Sequence, residues 1–291
     1  MDTELGLYRY RDAAAWPAEE GLAAMLDNQQ AAIFAVRTAI PALAAAVTEA
    51  AARLRHSKGR LIYTGAGASG RLAVQDGVEL NPTFGWPNDR LAYLIAGGES
   101  ALVRSAEGAE DDAATGAADM AALHPTQSDV VISVAASGTT RYTRAVQSAA
   151  RAAGAQTIGL ANNPGAPLLT EAEHPILLHT GAEFLPGSTR MTAGTAQKIA
   201  LNLFSTRLMT ELGRIHRGLM VDMIPSNAKL VVRAHRMVAT LTGLSEAEAA
   251  ALWHQAGSVK IAVLMHAGLS RAAAEARLAD SAGQLDVALA G

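Results

Sequence analysis

Three short segments of this chain combine glycine with hydroxyl side chains: Gly67-Ala68-Ser69-Gly70, Ser137-Gly138-Thr139-Thr140 and Gly187-Ser188-Thr189. Glycine lets a backbone approach an anion closely, and hydroxyls add donors. A helix that follows contributes free N–H groups and the positive end of its dipole. Such loops suit phosphate binding, although any one Ser-Gly pair is more often a plain turn or a helix cap. The first segment also fits a loose G-x-G-x-x-G pattern over Gly65–Gly70, a weak dinucleotide signal when it stands alone. That reading needs an acidic residue about 20 positions on, at the next strand. Asp89 precedes the next apolar run and Glu99 follows it, so a nicotinamide cofactor is not expected. No G-x-x-x-x-G-K-[ST] pattern occurs.

Other chemistry-bearing residues leave alternatives open. Glu107 and Glu110 stand in i, i+3 spacing, with Asp111 and Asp112 following. They form either an exposed acidic turn or a crowd of carboxylates in which one is held protonated. The chain has four lysines against twenty arginines. Of these, Lys198 and Lys229 face a phosphate or pair with Asp/Glu. The planar fork of Arg190 suits a carboxylate ligand, with a structural ion pair as the competing reading. The eight histidines show no H-x-H or H-E-x-x-H spacing, so no metal site is expected. There is no cysteine, which excludes disulfides, thiolate catalysis and Cys-ligated metals.

The elements that must position these residues are legible as changes of period. Residues 17–56 read as helices, with Pro17 and Pro41 suited to first turns and a break near Asp27-Asn28. Five apolar runs follow: Arg60–Thr64, Leu91–Ala96, Asp129–Ala135, Gln156–Ala161 and Pro175–His179. Glycine or Asn-Pro ends most of them, and helical stretches lie between several. Apolar strands alternating with helices indicate an α/β fold, a parallel sheet covered on both faces. Long helices are expected from Ala193 to about Gly213 and from Ser226 to Leu241. Ser245, Ser258 and Ser270 read as caps of a three-helix tail. The expected division is N-terminal helices over 1–56, a sheet domain over 57–243 and a helical module over 244–291.

The 291 residues are half hydrophobic but only 4% aromatic, so Ala, Val, Leu and Ile must build the core. The net charge of −3, with no basic stripe, argues against nucleic acid or an anionic membrane as a partner. The first residues, Met1–Asp12, carry charges and no apolar h-region, so no signal peptide is expected. No uninterrupted apolar run reaches the ~18 residues of a spanning helix. Ile40–Ala52, for example, is broken by Thr48 and Glu49. A cytoplasmic location fits this composition.

In this order the loops resemble the SIS (sugar isomerase) fold, and further motifs narrow the resemblance to the N-acetylmuramic acid 6-phosphate etherases. They are Gly65–Leu72, Glu79 with Pro82–Gly85, Ala96–Gly98, Glu107–Asp112, Gly187–Arg190, Ala193–Lys198, Leu201-Asn202, Leu219–Asp222 and Asn227–Leu230. The match covers about residues 30–290 and extends to the glucokinase regulatory proteins.

The resemblance implies an SIS-type sheet sandwiched by helices and a homodimer of the bacterial cytoplasm that serves cell-wall recycling. The implied reaction cleaves the D-lactyl ether of N-acetylmuramic acid 6-phosphate without a cofactor. Glu79 matches the acid that protonates the leaving oxygen, and Glu110 its partner, taken as the base at C2. Both follow successive strands, so a parallel sheet is expected to bring them to one cleft. Ser69, Gly70 and Ser137–Thr140 are expected to touch the ligand, with the phosphate at 137–140. Arg190 is a candidate for the lactyl carboxylate, and Lys198 and Lys229 for the phosphate. His216 and His235 are candidates for opening the sugar ring.

The chain departs from the family pattern at several positions. Thr139 and Arg141 replace Arg and Pro in the third loop, and Leu80-Asn81 replaces Cys-Pro. Thr192 stands where Lys is usual, and Gly218 where Asn is usual. Arg141 is expected to reach back to the phosphate. The alternatives are an isomerase or lyase acting on another phosphosugar, or a phosphosugar-sensing regulator without catalysis.

Overall fold

The apolar runs become one five-stranded, wholly parallel sheet in the order β2-β1-β3-β4-β5. The computed structural model describes all residues, Met1–Gly291. In chain order, α1 (Ala18–Arg55), β1 (Leu61–Gly65), α2 (Gly67–Val78), α3 (Leu80–Phe84), β2 (Leu91–Ile95) and α4 (Ala113–Ala122) come first. They are followed by β3 (Val130–Val134), α5 (Arg141–Ala152), β4 (Gln156–Ala161), α6 (Pro167–Thr170), β5 (His174–Leu177) and α7 (Thr192–Glu211). The remainder is helical: α8 (Ala228–Thr242), α9 (Glu246–Ala256), α10 (Val259–His266), α11 (Arg271–Asp280) and α12 (Leu285–Ala290). Two compact units result, one of Met1–Gly77 with Asp89–Phe204, the other of Val78–Asn88 with Ser205–Gly291.

In the first unit, every residue of β1, β3 and β4 is buried. This is why these strands read as continuous apolar runs rather than alternating ones. Ile62, Val131, Met120, Tyr142 and Val146 form the centre of one core cluster. After β1 the chain moves to β2 on one side, and β3 returns to the other side of β1. Such a reversal opens a crevice at the carboxyl ends of the strands, and Gly65 pairs with Val134 at that end.

Two expectations about the first helix are corrected. No break occurs at Asp27-Asn28, and Pro41 lies inside α1 rather than in a first turn. Asn28 serves tertiary structure instead of a turn: its side chain donates to the Ala182 carbonyl (3.4 Å) and accepts from Thr192 Oγ1 (2.7 Å). The helix also contains an 18-residue window of mean hydropathy 1.7, long and apolar enough to cross a membrane by length and composition. Counting unbroken runs missed it, because alanine raises a helical average across scattered charges. Within the fold, Val36, Leu43, Val47 and Leu54 of this helix are buried, and the carbonyl of Ala46 accepts from Gln156 on β4 (3.2 Å).

The second unit is held by Val221, Met237, Val238, Val259, Leu264 and Leu285. Ser245 forms a capping box with Glu248, and Ser258 and Ser270 cap α10 and α11 through Ile261 N–H and Ala273 N–H. All three serine caps were legible locally; α12 adds a short fourth helix after them.

Candidate active site

The first glycine-rich segment joins β1 to α2 by close backbone packing. A Cβ on Gly70 would lie 2.9 Å from the Gly65 carbonyl carbon, and one on Gly65 would lie 2.8 Å from the Gly70 Cα. Gly70 therefore brings helix against strand. Ser69 is 8% exposed in the first turn of α2. A cavity of 340 Å³ opens at the start of α2, lined by Ala66, Gly67, Arg71, Ala96, Ser105, Glu107 and Glu110, with Ser69 and Gly70 outside its lining. It stands at the carboxyl ends of β1 and β2 and falls in the size class of small-ligand sites, ~300–1,000 Å³.

Arg71, one turn into α2, organises the wall opposite. Its Nε donates to the carbonyls of Ala101 (3.0 Å) and Leu102 (3.1 Å), and Nη2 donates to that of Arg104 (3.4 Å). These bonds secure the backbone that leads into Glu107 and Glu110. Glu110 lies in a 3-10 turn, exposed and without a hydrogen bond or ion pair. The acidic cluster is an exposed turn whose members divide the work. Asp112 caps α4 by accepting from Thr115 N–H (2.9 Å) and Thr115 Oγ1 (2.7 Å). Those bonds, with a smaller attraction from Arg141, hold its carboxyl below the usual range.

The third-loop residues follow β3. Gly138 has φ +67°, and a Cβ there would lie 2.5 Å from Ala166 Cβ, so glycine is required. Ser137 Oγ accepts from both the N–H and the Oγ1 of Thr139 at 3.1 Å. Thr140 precedes α5 without a side-chain cap bond, leaving the first amides of that helix open. Arg141 is exposed and makes no hydrogen bond.

Around the last segment, Arg190 and Lys198 are exposed and form no ion pair within the chain. Thr192 is wholly buried and bonded to Asn28. At this position, where Lys is usual in the family, Thr192 joins α7 to α1.

In the second unit, Glu79 is exposed at the start of α3 with no side-chain cap bond. It follows β1 by way of the whole of α2. Leu80 is buried, and Asn81 Nδ2 donates to the Trp86 carbonyl (2.8 Å); the Leu80-Asn81 departure builds a local turn. Gly218 (φ +78°) follows Arg217 (φ +48°) between His216 and Leu219, which exchange two backbone hydrogen bonds. Asn is one of the few other residues that enter that left-handed backbone, so the departure at Gly218 is a turn-compatible exchange.

Lys229 is exposed and unpaired. The lysine that pairs is one the sequence reading passed over. Lys260, 3% exposed, donates to Asp222 Oδ2 (2.5 Å) and the Gly283 carbonyl (2.8 Å). Burial pulls its pKa down against the opposing pull of Asp222.

His216 is buried, with Nδ1 3.1 Å from Asp286. His235 packs against Trp253 and His254, and its pKa is lowered by burial and then by His254. One group of potential metal ligands, Glu49, Glu173 and His174, lies within 4.8 Å. Arg53 lies 2.8 Å from Glu49 and 3.5 Å from Glu173, and His174 bonds Glu49 at 2.9 Å.

Comparison with known proteins agrees with this architecture. The family model of the glucokinase regulatory protein N-terminal SIS domain matches residues 42–149, and that of the SIS domain matches residues 110–207. A solved structure of a protein from E. coli CFT073 shares the fold. Its TM-score is 0.50 at 16% identity, over 72% of this chain and 97% of that chain. A Deinococcus radiodurans protein named N-acetylmuramic acid 6-phosphate etherase is 50% identical, over 94% of this chain and 90% of its own length. Relatives of the same name from Serratia proteamaculans and Cronobacter sakazakii are 46% and 45% identical, over 88% and 96% of this chain and 86% and 94% of theirs. Identity of that order along nearly the whole chain, on a parallel sheet with the glycine-hydroxyl loops in place, makes this protein a member of the N-acetylmuramic acid 6-phosphate etherase family.

Proposed function

We propose that the chain is a carbon–oxygen lyase that converts N-acetylmuramic acid 6-phosphate and water into N-acetylglucosamine 6-phosphate and D-lactate. Membership in the etherase family carries this reading. An ether oxygen is a poor leaving group, but in the open-chain sugar it stands β to an aldehyde. Removal of the acidified H2 lets the C3–O bond break with its electron pair leaving on lactate. A general acid delivers the proton to that oxygen, and water then adds across the alkene at C3. Two carboxyl groups suffice for these transfers.

We assign the base at C2 to Glu110, whose free carboxylate lines the cavity secured by Arg71. The acid at the leaving oxygen is assigned to Glu79. Ser137, Gly138, Thr139 and Thr140, with the open amides of α5, are the proposed phosphate site; Ser69 and Gly70 line the sugar. Arg190 is assigned to the lactyl carboxylate, and Lys198 and Lys229 to the anionic end of the ligand. In this proposal residues 57–243 carry phosphosugar recognition, 1–56 pack on them, and 244–291 form an appended helical module. The proposed working form is a homodimer in the cytoplasm.

The deciding experiment incubates the purified chain with N-acetylmuramic acid 6-phosphate and follows D-lactate. Release of lactate is the expected result. Binding without release would replace the lyase with a phosphosugar sensor, and exchange of solvent deuterium into C2 without ether loss would replace it with an isomerase.

A further inference from the structure

Thr3 is 1% exposed in a segment whose neighbours Asp2, Glu4 and Leu5 are half-buried or exposed. Each of its polar groups is used across a large sequence separation. The N–H donates to Asn163 Oδ1 (3.3 Å), and Oγ1 accepts from Asn163 Nδ2 (3.1 Å). The carbonyl accepts from Gly187 N–H (3.0 Å). Asn163 is itself 4% exposed, and its Nδ2 also donates to the Ala136 carbonyl (3.0 Å), the residue before Ser137. Thr3 therefore joins two of the three glycine-hydroxyl loops: the Ser137 loop through Asn163, and the Gly187 loop directly.

The surrounding contacts show that this segment is seated rather than trailing. Asp2 meets His179 at 2.8 Å, and the Tyr10 ring packs on Phe184 with centroids 4.5 Å apart. Glu4 stands over Gly187 so closely that a Cβ there would lie 2.9 Å from its Oε2.

We infer that Thr3 is a positioning residue for ligand binding: it staples the Ser137–Thr140 loop to the Gly187–Arg190 loop and sets the spacing between their donors. The inference rests on the assignment of those loops to the phosphosugar. It extends the site to the first residues of the chain, where the motifs of the family resemblance do not reach. Oriented loop amides bind an anion well only if they are held in place before it arrives. Along the chain α5, β4, α6 and β5 separate the two loops, and Thr3 with Asn163 bridges them. Replacing Thr3 by valine keeps the shape and removes the hydroxyl, leaving Asn163 Nδ2 with one acceptor fewer. Losing one such bond corresponds to about 1 kcal/mol, hence about a fivefold change in affinity.

The test uses the full chain as wild type, Thr3→Val and Thr3→Ser. Calorimetric titration with N-acetylglucosamine 6-phosphate gives Kd, lactate release gives KM and kcat, and thermal unfolding gives Tm. The expected result is a Kd and KM raised roughly fivefold in Thr3→Val. Its kcat should stay close to wild type, its Tm should fall by no more than about 2–4 °C, and Thr3→Ser should recover the binding and the Tm. Unchanged Kd and KM would overturn the inference, as would a loss of Tm and kcat alone, which marks a structural role. If the wild type binds the phosphosugar but releases no lactate, the lyase reading fails while the Kd comparison still decides the staple. A wild type that binds no phosphosugar overturns both.

Discussion

The buried carboxylate of Glu183 accepts the backbone N–H of Thr192 at 2.9 Å and, through its other oxygen, that of Ala193 at 2.8 Å. With no exposed surface, it serves the amino end of α7 as a distant cap, satisfying two amides that the helix cannot satisfy itself. Thr192 in turn holds Asn28 of α1, so one polar chain links the first helix, the segment after β5 and α7.

Glu183→Ala should therefore cost about 3 kcal/mol, since it strands two buried amides and leaves a void. Glu183→Gln should recover part of that, because one acceptor remains while the amide nitrogen opposes a donor. The urea midpoints of the two variants and wild type check this ordering.

Asp129 supplies a pH-dependent share of stability. Burial favours its neutral form, but the Arg60 guanidinium and the amides of Thr126 and Arg60 outweigh burial and hold its pKa below the usual value. The contacts are short: Arg60 Nη2 at 2.9 Å, Thr126 N–H and Arg60 N–H each at 2.8 Å. A depressed folded pKa gives stability that is present above the unfolded pKa, near ~3.9, and is lost as pH falls through the folded value. Asp129→Asn should cost about 2–4 kcal/mol at pH 7, and the gap to wild type should narrow below about pH 4. Urea titrations at pH 7 and pH 3 read both.

Glu110 and Glu79 are exposed and make no bond that folding depends on. Glu110→Gln and Glu79→Gln should each lower kcat for lactate release by about 10²–10⁴ with Tm unchanged. A variant with wild-type turnover would remove that residue from the proposed chemistry.

Arg71 acts through the wall it secures. Lysine cannot reproduce the fork that reaches Ala101, Leu102 and Arg104. Arg71→Lys should reduce kcat/KM by about 10- to 100-fold, with kcat carrying much of the loss because the backbone leading to Glu110 loosens. Steady-state kinetics beside a thermal melt separates that from unfolding.

Much of this protein was legible before any coordinates. Strands buried on both faces announce themselves as unbroken apolar runs, and Gln156–Ala161 begins and ends where the pattern says. The caps at Ser245, Ser258 and Ser270 are equally plain, because a serine bonds an amide only three residues on. The glycine-hydroxyl loops show in composition alone.

What stayed hidden depends on partners far along the chain. Asn28 looks like a helix break, yet its side chain reaches Thr192. Thr3 carries no signal, and its importance exists only because Asn163 and Gly187 come to it. Lys260 reads as one lysine among four until Asp222 and Gly283 enclose it. The order of the strands, with β1 between β2 and β3, likewise follows from packing helices on both faces. Local hydrogen bonds and periodicity are encoded within a turn or two of chain. A bond across 160 residues is encoded nowhere until the core has brought its ends together.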